Sequence, residues 1–232
     1  MAYDFAAGEI LLINKPLDWT SFDVVKKVRN IIREKKVGHA GTLDPLASGL
    51  LILCTGKYTK RIDEIQGQEK EYTGTIILGK VTPSYDRETA VTETNDISHI
   101  TPEAIKAAAD SFVGTIEQVP PIYSAVMVDG KRAYDLARKG KSAELKSRTI
   151  TIHAFDITAI EGDTVTFRVV CTKGTYIRSL ANDLGARLGC GAFLGSLERT
   201  RIGAYTLADA LTIEDVQQIR RQQLEEANGS NP

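Results

Sequence analysis

The stretch Gly38-His39-Ala40-Gly41-Thr42-Leu43-Asp44-Pro45-Leu46-Ala47-Ser48-Gly49 constrains this chain more than any other. It lies between a helical pattern with a basic face and a continuous apolar run. Its glycines remove side chains and permit positive φ, so the backbone can bend tightly and a bulky partner can come close. Pro45 restricts the residue before it and so holds Asp44 in extended geometry. A carboxylate set in this way suits a nucleophile that must reach one atom of a bound substrate. Taken singly, Asp-Pro among glycines is ordinary turn chemistry, and a lone histidine is more often a structural hydrogen-bonder than a catalyst. The functional reading rests on the whole dodecapeptide.

The chain has 232 residues, enough for one sizeable core or two small ones. Its 42% hydrophobic and 25% charged residues describe an ordinary globular protein. No apolar run is long enough to span a membrane, and the N-terminus lacks the basic region and apolar stretch of a secretory signal. A cytoplasmic location is expected. Cys54, Cys171 and Cys190 are widely spaced and form no C-x-x-C pair, which argues against a zinc ribbon or a disulfide framework. His39, His99 and His153 have no metal-ligand spacing. Thr55-Gly56-Lys57 follows an apolar run but fails as a P-loop: the first glycine would fall at Leu51, and Tyr58 stands where Ser or Thr is needed. Gly189-Cys190-Gly191 has no third glycine at dinucleotide-binding spacing.

The formal charge of −1 is not that of a strongly basic nucleic-acid binder. The charges are segregated, however. Residues 131–148 hold seven basic groups (Lys131, Arg132, Arg138, Lys139, Lys141, Lys146, Arg148) against Asp135 and Glu144. Residues 81–120 hold seven acids (Asp86, Glu88, Glu93, Asp96, Glu103, Asp110, Glu117) against Arg87 and Lys106. One face can attract phosphate while the molecule stays near neutral.

Residues 8–14 read as a short apolar strand, stopped by Lys15-Pro16. Thr20 and Ser21 offer N-caps, with Asp23 three residues after Thr20. Phe22, Val25, Val28, Ile31 and Ile32 then recur at helical spacing, with Lys26, Lys27, Arg29 and Arg33 on the other side. Residues 50–54 read as a buried strand, 57–65 as a short helix and 72–78 as a β-branched strand. Thr101-Pro102-Glu103 opens a helix to about Phe112. Strands are expected at 150–157 and 164–171, the second with Val165, Phe167, Val169 and Cys171 on one face. A helix follows in which Ile177, Leu180, Ala181, Leu184 and Leu188 share a face. The last helix, 213–226, trails into a tail expected to be disordered from about residue 227. Strands with interspersed helices predict an α+β protein with a mixed, mainly antiparallel sheet. No linker or repeat divides the chain, so a single domain over 1–232 is expected.

The dodecapeptide resembles the signature G-H-x-G-x-L-D-P-x-A-x-G of the TruB family of tRNA pseudouridine synthases, with every fixed position present. Five further segments extend the resemblance over most of the chain. Asn14-Lys15-Pro16 with Thr20-Ser21 is similar to the family's N-K-P-x-G-x-T-S opening, with Asp18 in place of the usual glycine. Glu71-Tyr72 resembles the strand that presents an active-site tyrosine. The segment from Pro120-Pro121-Ile122-Tyr123-Ser124-Ala125 to Ala137-Arg138-Lys139-Gly140 resembles an RNA-gripping thumb loop, about 121–149. Lys173-Gly174-Thr175-Tyr176-Ile177-Arg178 is close to K-G-T-Y-I-R, and Leu197-Glu198-Arg199-Thr200 to the closing L-R-R-T.

The resemblance implies a pseudouridine synthase fold: a bent, mainly antiparallel sheet with flanking helices and a central cleft. It implies isomerisation of the T-loop uridine at position 55 of tRNA by base flipping, with no cofactor and no metal. Asp44 would be the essential carboxylate and Arg178 would pair with it and aim it. Tyr72 would stack on the extruded uracil, and Leu197 would close its other side. His39 would hold the flipped nucleotide or fill the space it left. Lys15 would buttress the tyrosine strand or touch phosphate. Tyr176, Lys131, Arg132, Arg138, Lys139 and Lys141 are the remaining RNA-binding candidates. The expected partner is the tRNA T-arm stem-loop, without guide RNA or membrane, and the expected state is a monomer. Met127 replaces a lysine usual after Ser-Ala, and Glu198 the first arginine of the closing motif. Too few residues follow Thr206 for the small C-terminal RNA-binding PUA domain of many bacterial relatives, so a short form is expected. A guide-dependent ribosomal RNA enzyme and a non-catalytic RNA chaperone are the alternatives.

Overall fold

The computed structural model describes residues 3–124, 126–128, 130–138 and 145–229. The chain opens with β1 (Ile10–Lys15), α1 (Ser21–Ile32), β2 (Val37–Ala40), β3 (Ala47–Thr55), α2 (Ile62–Gln66) and β4 (Lys70–Leu78). It continues with β5 (Lys80–Val81), β6 (Glu93–Thr94), α3 (Pro102–Asp110), β7 (Gly114–Gln118), β8 (Met127–Val128), β9 (Lys131–Arg132) and α4 (Ala133–Arg138). The last part holds β10 (Arg148–Glu161), β11 (Thr164–Cys171), α5 (Ile177–Leu188), β12 (Ala192–Ile202), β13 (Tyr205–Thr206) and α6 (Ile213–Gly229). Residues 1–70 and 198–232 form one compact unit, and 71–197 a second.

In the first unit β3 is flanked by β1 and by the end of β12, and β2 also pairs with β3. Both β1 and β2 run antiparallel to β3, with Lys15 opposite Gly49 and His39 opposite Leu53. Every residue of β3 is buried except Ser48, as its unbroken apolar run requires. α1 starts on the expected capping box: Thr20 accepts from the Asp23 amide, and the Asp23 carboxylate accepts from the Thr20 amide. Its inner face is Ser21, Val24, Val25, Val28 and Ile32, packed with Leu11, Ile13, Leu51 and Leu53. Each such buried aliphatic side chain contributes about 1.5–3 kcal/mol. Phe22 departs from the expected face and is 66% exposed. It sits one position off the stripe, and Val24 takes the inward place.

In the second unit the strand order is β12-β4-β11-β10-β7, and β10 pairs antiparallel with both β11 and β7. On β11 the predicted face Val165, Phe167, Val169 and Cys171 is buried. β10 is longer than expected and carries register shifts after Ile152 and Ile157. α3 is capped by Thr101 with Pro102 in its first turn. The architecture is α+β with a mainly antiparallel sheet and flanking helices, as the sequence predicts. One parallel bridge joins Ile13 to Leu211. α6 extends to Gly229, so 227–229 are helical rather than a disordered tail, and 230–232 lie outside the described residues. Among the described residues no helix is long and apolar enough to cross a membrane.

Candidate active site

Asp44 lies in the connection between β2 and β3, in the first unit. The backbone on either side of it is tied down residue by residue. The Ser21 hydroxyl accepts from the Leu43 amide at 2.9 Å and donates to the Leu43 carbonyl at 3.2 Å. The Asp44 carbonyl accepts from the Ala47 amide, and the Pro45 carbonyl from the Asp18 amide. Asp18 holds φ of 63°, which explains why a glycine suits that position. Gly41 and Gly49 take φ of 93° and 101°. Gly38 has no positive φ; a Cβ there would collide with Ile62.

Two buried cations serve this loop. Lys15 is fully buried, and its ammonium donates to the carbonyls of Trp19 (2.6 Å), Pro16 (2.9 Å) and Pro45 (3.4 Å). Burial pulls its pKa down to about 8, against an opposing pull from the Asp44 carboxylate. An ammonium so enclosed has no access to phosphate, so that part of its expected role is corrected. Arg199, on β12, donates to Leu50, Gly41 and Thr42 carbonyls. His39 stands on β2 rather than in a loop, and is partly buried. Burial first, and the Arg199 charge second, lower its pKa, so its ring is neutral at pH 7. Its Nδ1 is buried without a hydrogen-bond partner among the described residues.

The remaining candidates lie in the second unit. Tyr72 is on β4 and 8% exposed, and Leu197 is half-buried on the adjacent strand β12. Arg178, in the first turn of α5, is 5% exposed. It donates to the Tyr123 carbonyl at 2.8 Å and the Ser84 carbonyl at 3.5 Å, and its Nε lies 3.7 Å from the Asp86 carboxylate. Tyr85, between Ser84 and Asp86, has φ of 63°, an unusual value for a residue with a side chain. That left-handed step brings its neighbours' carbonyl and carboxylate to the same guanidinium. The turn is fixed by Thr82 donating to the Asp86 carbonyl and by Asp86 accepting from the Glu88 amide. Tyr176 caps α5, and the Gln118 amide group brackets it by accepting from its N–H and donating to its carbonyl. The Arg148 guanidinium lies 5.3 Å above the Tyr176 ring.

Lys131 and Arg132 form β9, and Arg138 ends α4. Their side chains, and the whole of Lys139 and Lys141, lie outside the described residues. Met127 is 60% exposed on β8. Glu198 accepts from the Ser48 hydroxyl at 3.4 Å, so the replaced arginine position faces the aspartate loop. Asp86 and Gln118 hold Arg178 and Tyr176 in the second unit, Ser21 and Arg199 hold the aspartate loop in the first, and sequence reasoning missed all four in that role. The first two carry no local signal. Ser21 is visible in sequence only as a cap, and Arg199 only inside the closing motif.

Residues 29–177 match the model for TruB family pseudouridylate synthase (N terminal domain), and 178–228 that for the tRNA pseudouridylate synthase B C-terminal domain. The chain belongs to the TruB family. A tRNA pseudouridine synthase B from Parabacteroides distasonis is 53% identical over 219 residues, covering 92% of this chain and 93% of the relative. One from Flavobacterium johnsoniae is 50% identical, with 90% and 95% covered. The solved Cbf5-Nop10-Gar1 complex contains a chain 30% identical with a TM-score of 0.74, covering 97% of this chain. The archaeal box H/ACA sRNP Nop10-Cbf5 complex gives 27%, 0.71 and 96%. This chain spans 57% of the length of each of those chains.

Proposed function

We propose that this chain converts the T-loop uridine at position 55 of tRNA to pseudouridine. The reaction breaks the bond between N1 of uracil and C1′ of ribose, turns the base and rejoins it through C5. N1 gains a proton and C5 loses one, so no atom of the base or sugar framework is exchanged. Asp44 supplies the carboxylate, by attack at C1′ or C6 or by taking the C2′ proton. Arg178 pairs with Asp44 and aims it. Tyr72 stacks on the everted base and moves a proton through its hydroxyl, and Leu197 walls the other side. His39, neutral at working pH, holds the everted nucleotide rather than carrying protons. A buried ring nitrogen that lacks a partner suits that role.

Eversion costs a few kcal/mol, offset by stacking and phosphate contacts. The face of α1 with Lys26, Lys27 and Arg29, and the 131–148 loop, supply those contacts. RNA recognition then follows loop shape and backbone rather than a long sequence code. The protein acts as a monomer on the T-arm alone. One observation supports the reading above the others: an aspartate whose flanking backbone is fixed at Leu43 and Pro45, inside a complete family signature.

An unmodified tRNA transcript should be converted at one uridine, and Asp44→Asn should bind it while converting none. Conversion by the Asn variant would sink the assignment. The likeness to chains from H/ACA particles raises a guide-dependent reading. The higher identity over nearly full length to tRNA enzymes favours the first. Conversion of a bare T-arm stem-loop without guide RNA separates the two, and Asp44→Asn also separates an enzyme from a non-catalytic RNA chaperone.

A further inference from the structure

We propose that Arg199 is a positioning residue for catalysis: its buried guanidinium sets the shape of the loop that delivers Asp44. This rests on the role of Asp44 proposed above. Arg199 is 1% exposed, on β12, far in sequence from the loop. Its Nε donates to the Leu50 carbonyl at 2.8 Å, its Nη2 to Gly41 at 3.0 Å and its Nη1 to Thr42 at 3.4 Å. Gly41 and Thr42 are where the chain leaves β2, and Leu50 is where it settles into β3. One planar group therefore ties the entry of the loop to its exit, with Asp44 between them.

The chemistry of guanidinium suits the task. Its N–H groups form a rigid fork, so carbonyls bonded to it are fixed relative to one another. An ammonium offers donors from a single rotating point and sets no such relation. Burying a cation costs several kcal/mol, and apolar residues fill such a space at lower cost. That cost is offset here by carbonyls that lie at the base of the aspartate loop. The strand that carries Arg199 also passes close to the loop exit, since a Cβ on Gly49 would collide with the Arg199 backbone. The charge also reaches the site, since it helps to lower the pKa of His39.

The test uses the full-length enzyme, Arg199→Lys and Arg199→Ala, with single-turnover conversion and RNA affinity measured separately. Amide hydrogen exchange over residues 41–50 is followed alongside. Arg199→Lys should slow single turnover by about 100-fold while affinity changes less than about threefold, since small misplacements cost that much in rate. Exchange should accelerate at 41–50 and not across β10 and β11. Added guanidinium, but not methylammonium, should restore part of the Arg199→Ala rate. If Arg199→Ala does not fold, Arg199→Lys decides the matter. Turnover by Arg199→Lys at the wild-type rate, or a defect confined to affinity or to melting temperature, would overturn the proposal. An inactive Asp44→Asn beside an unimpaired Arg199→Lys removes this inference alone. An active Asp44→Asn removes the functional reading instead.

Discussion

The two units bury their cations in different ways. In the first, Lys15 and Arg199 direct their donors at main-chain carbonyls. In the second, Arg178 faces the Asp86 carboxylate as well as carbonyls. Carbonyl partners fix backbone and leave the positive charge uncancelled, so it acts on whatever anion stands nearby. A carboxylate partner cancels much of the charge and makes each member depend on the other. The first arrangement builds a rigid mount with a positive field, and the second an oriented pair. The difference can be tested by removing partners.

The largest effect is expected at Arg178. Arg178→Ala leaves Asp86 buried without its guanidinium, which costs about 3–5 kcal/mol of stability. Turnover should fall far more than RNA affinity, as read by single-turnover rates against binding. If the arginine works as half of a pair, Arg178→Met with Asp86→Leu should regain part of the stability lost by either change alone. No carboxylate substitution should do the same for Arg199. A loss confined to RNA affinity in Arg178→Ala would contradict a positioning role.

A smaller effect is expected for the basic residues of 131–148. Reversing Lys139 and Lys141 to Glu should weaken RNA binding and flatten its dependence on salt, by about 0.7–0.9 of a unit in slope for each phosphate no longer neutralised. This pair should leave the single-turnover rate at saturating RNA unchanged. Titration of affinity across salt concentrations reads the slope, and an unaltered slope would remove the loop from the RNA grip.

The sequence makes legible what depends on near neighbours. The capping box at Thr20 and Asp23, the buried run of β3 and the alternating face of β11 all follow local rules, and all are present. Helical phase is less legible, because Phe22 and Val24 are both apolar and only packing decides which turns inward. The strand β12 carries no readable pattern. Gly195, Glu198, Arg199 and Arg201 break any apolar alternation along it. Arg199 is buried only because carbonyls from Gly41, Thr42 and Leu50 meet it, and no local pattern encodes that meeting. Asp86 likewise counts in sequence as one acid among seven, yet it is 6% exposed beside Arg178. Asp44 is legible through the length of its motif. The groups that steady it are legible only where the motif happens to include them.

Lys15 gives the finest test of a cation held by carbonyls, because its charge can be removed by pH alone. Burial lowers its pKa from 10.5 to about 8 in the folded protein. Between those values the unfolded chain binds the proton and the folded chain does not. Stability from this group therefore rises with pH across the window, since the cost of burying the charge is at its full size below pH 8, shrinks from there, and is gone only above 10.5. Activity should move the other way. A neutral amine holds the Pro45 carbonyl less firmly, so the rate should fall by half near pH 8 and continue down. Lys15→Arg keeps its charge throughout and should lack that limb, which also separates it from titration of uracil itself. Single-turnover rates from about pH 6.5 to about pH 9.5, with urea unfolding at both ends, read the two trends together. An alkaline limb of the same midpoint in Lys15→Arg would show that the lysine charge is not what steadies the loop.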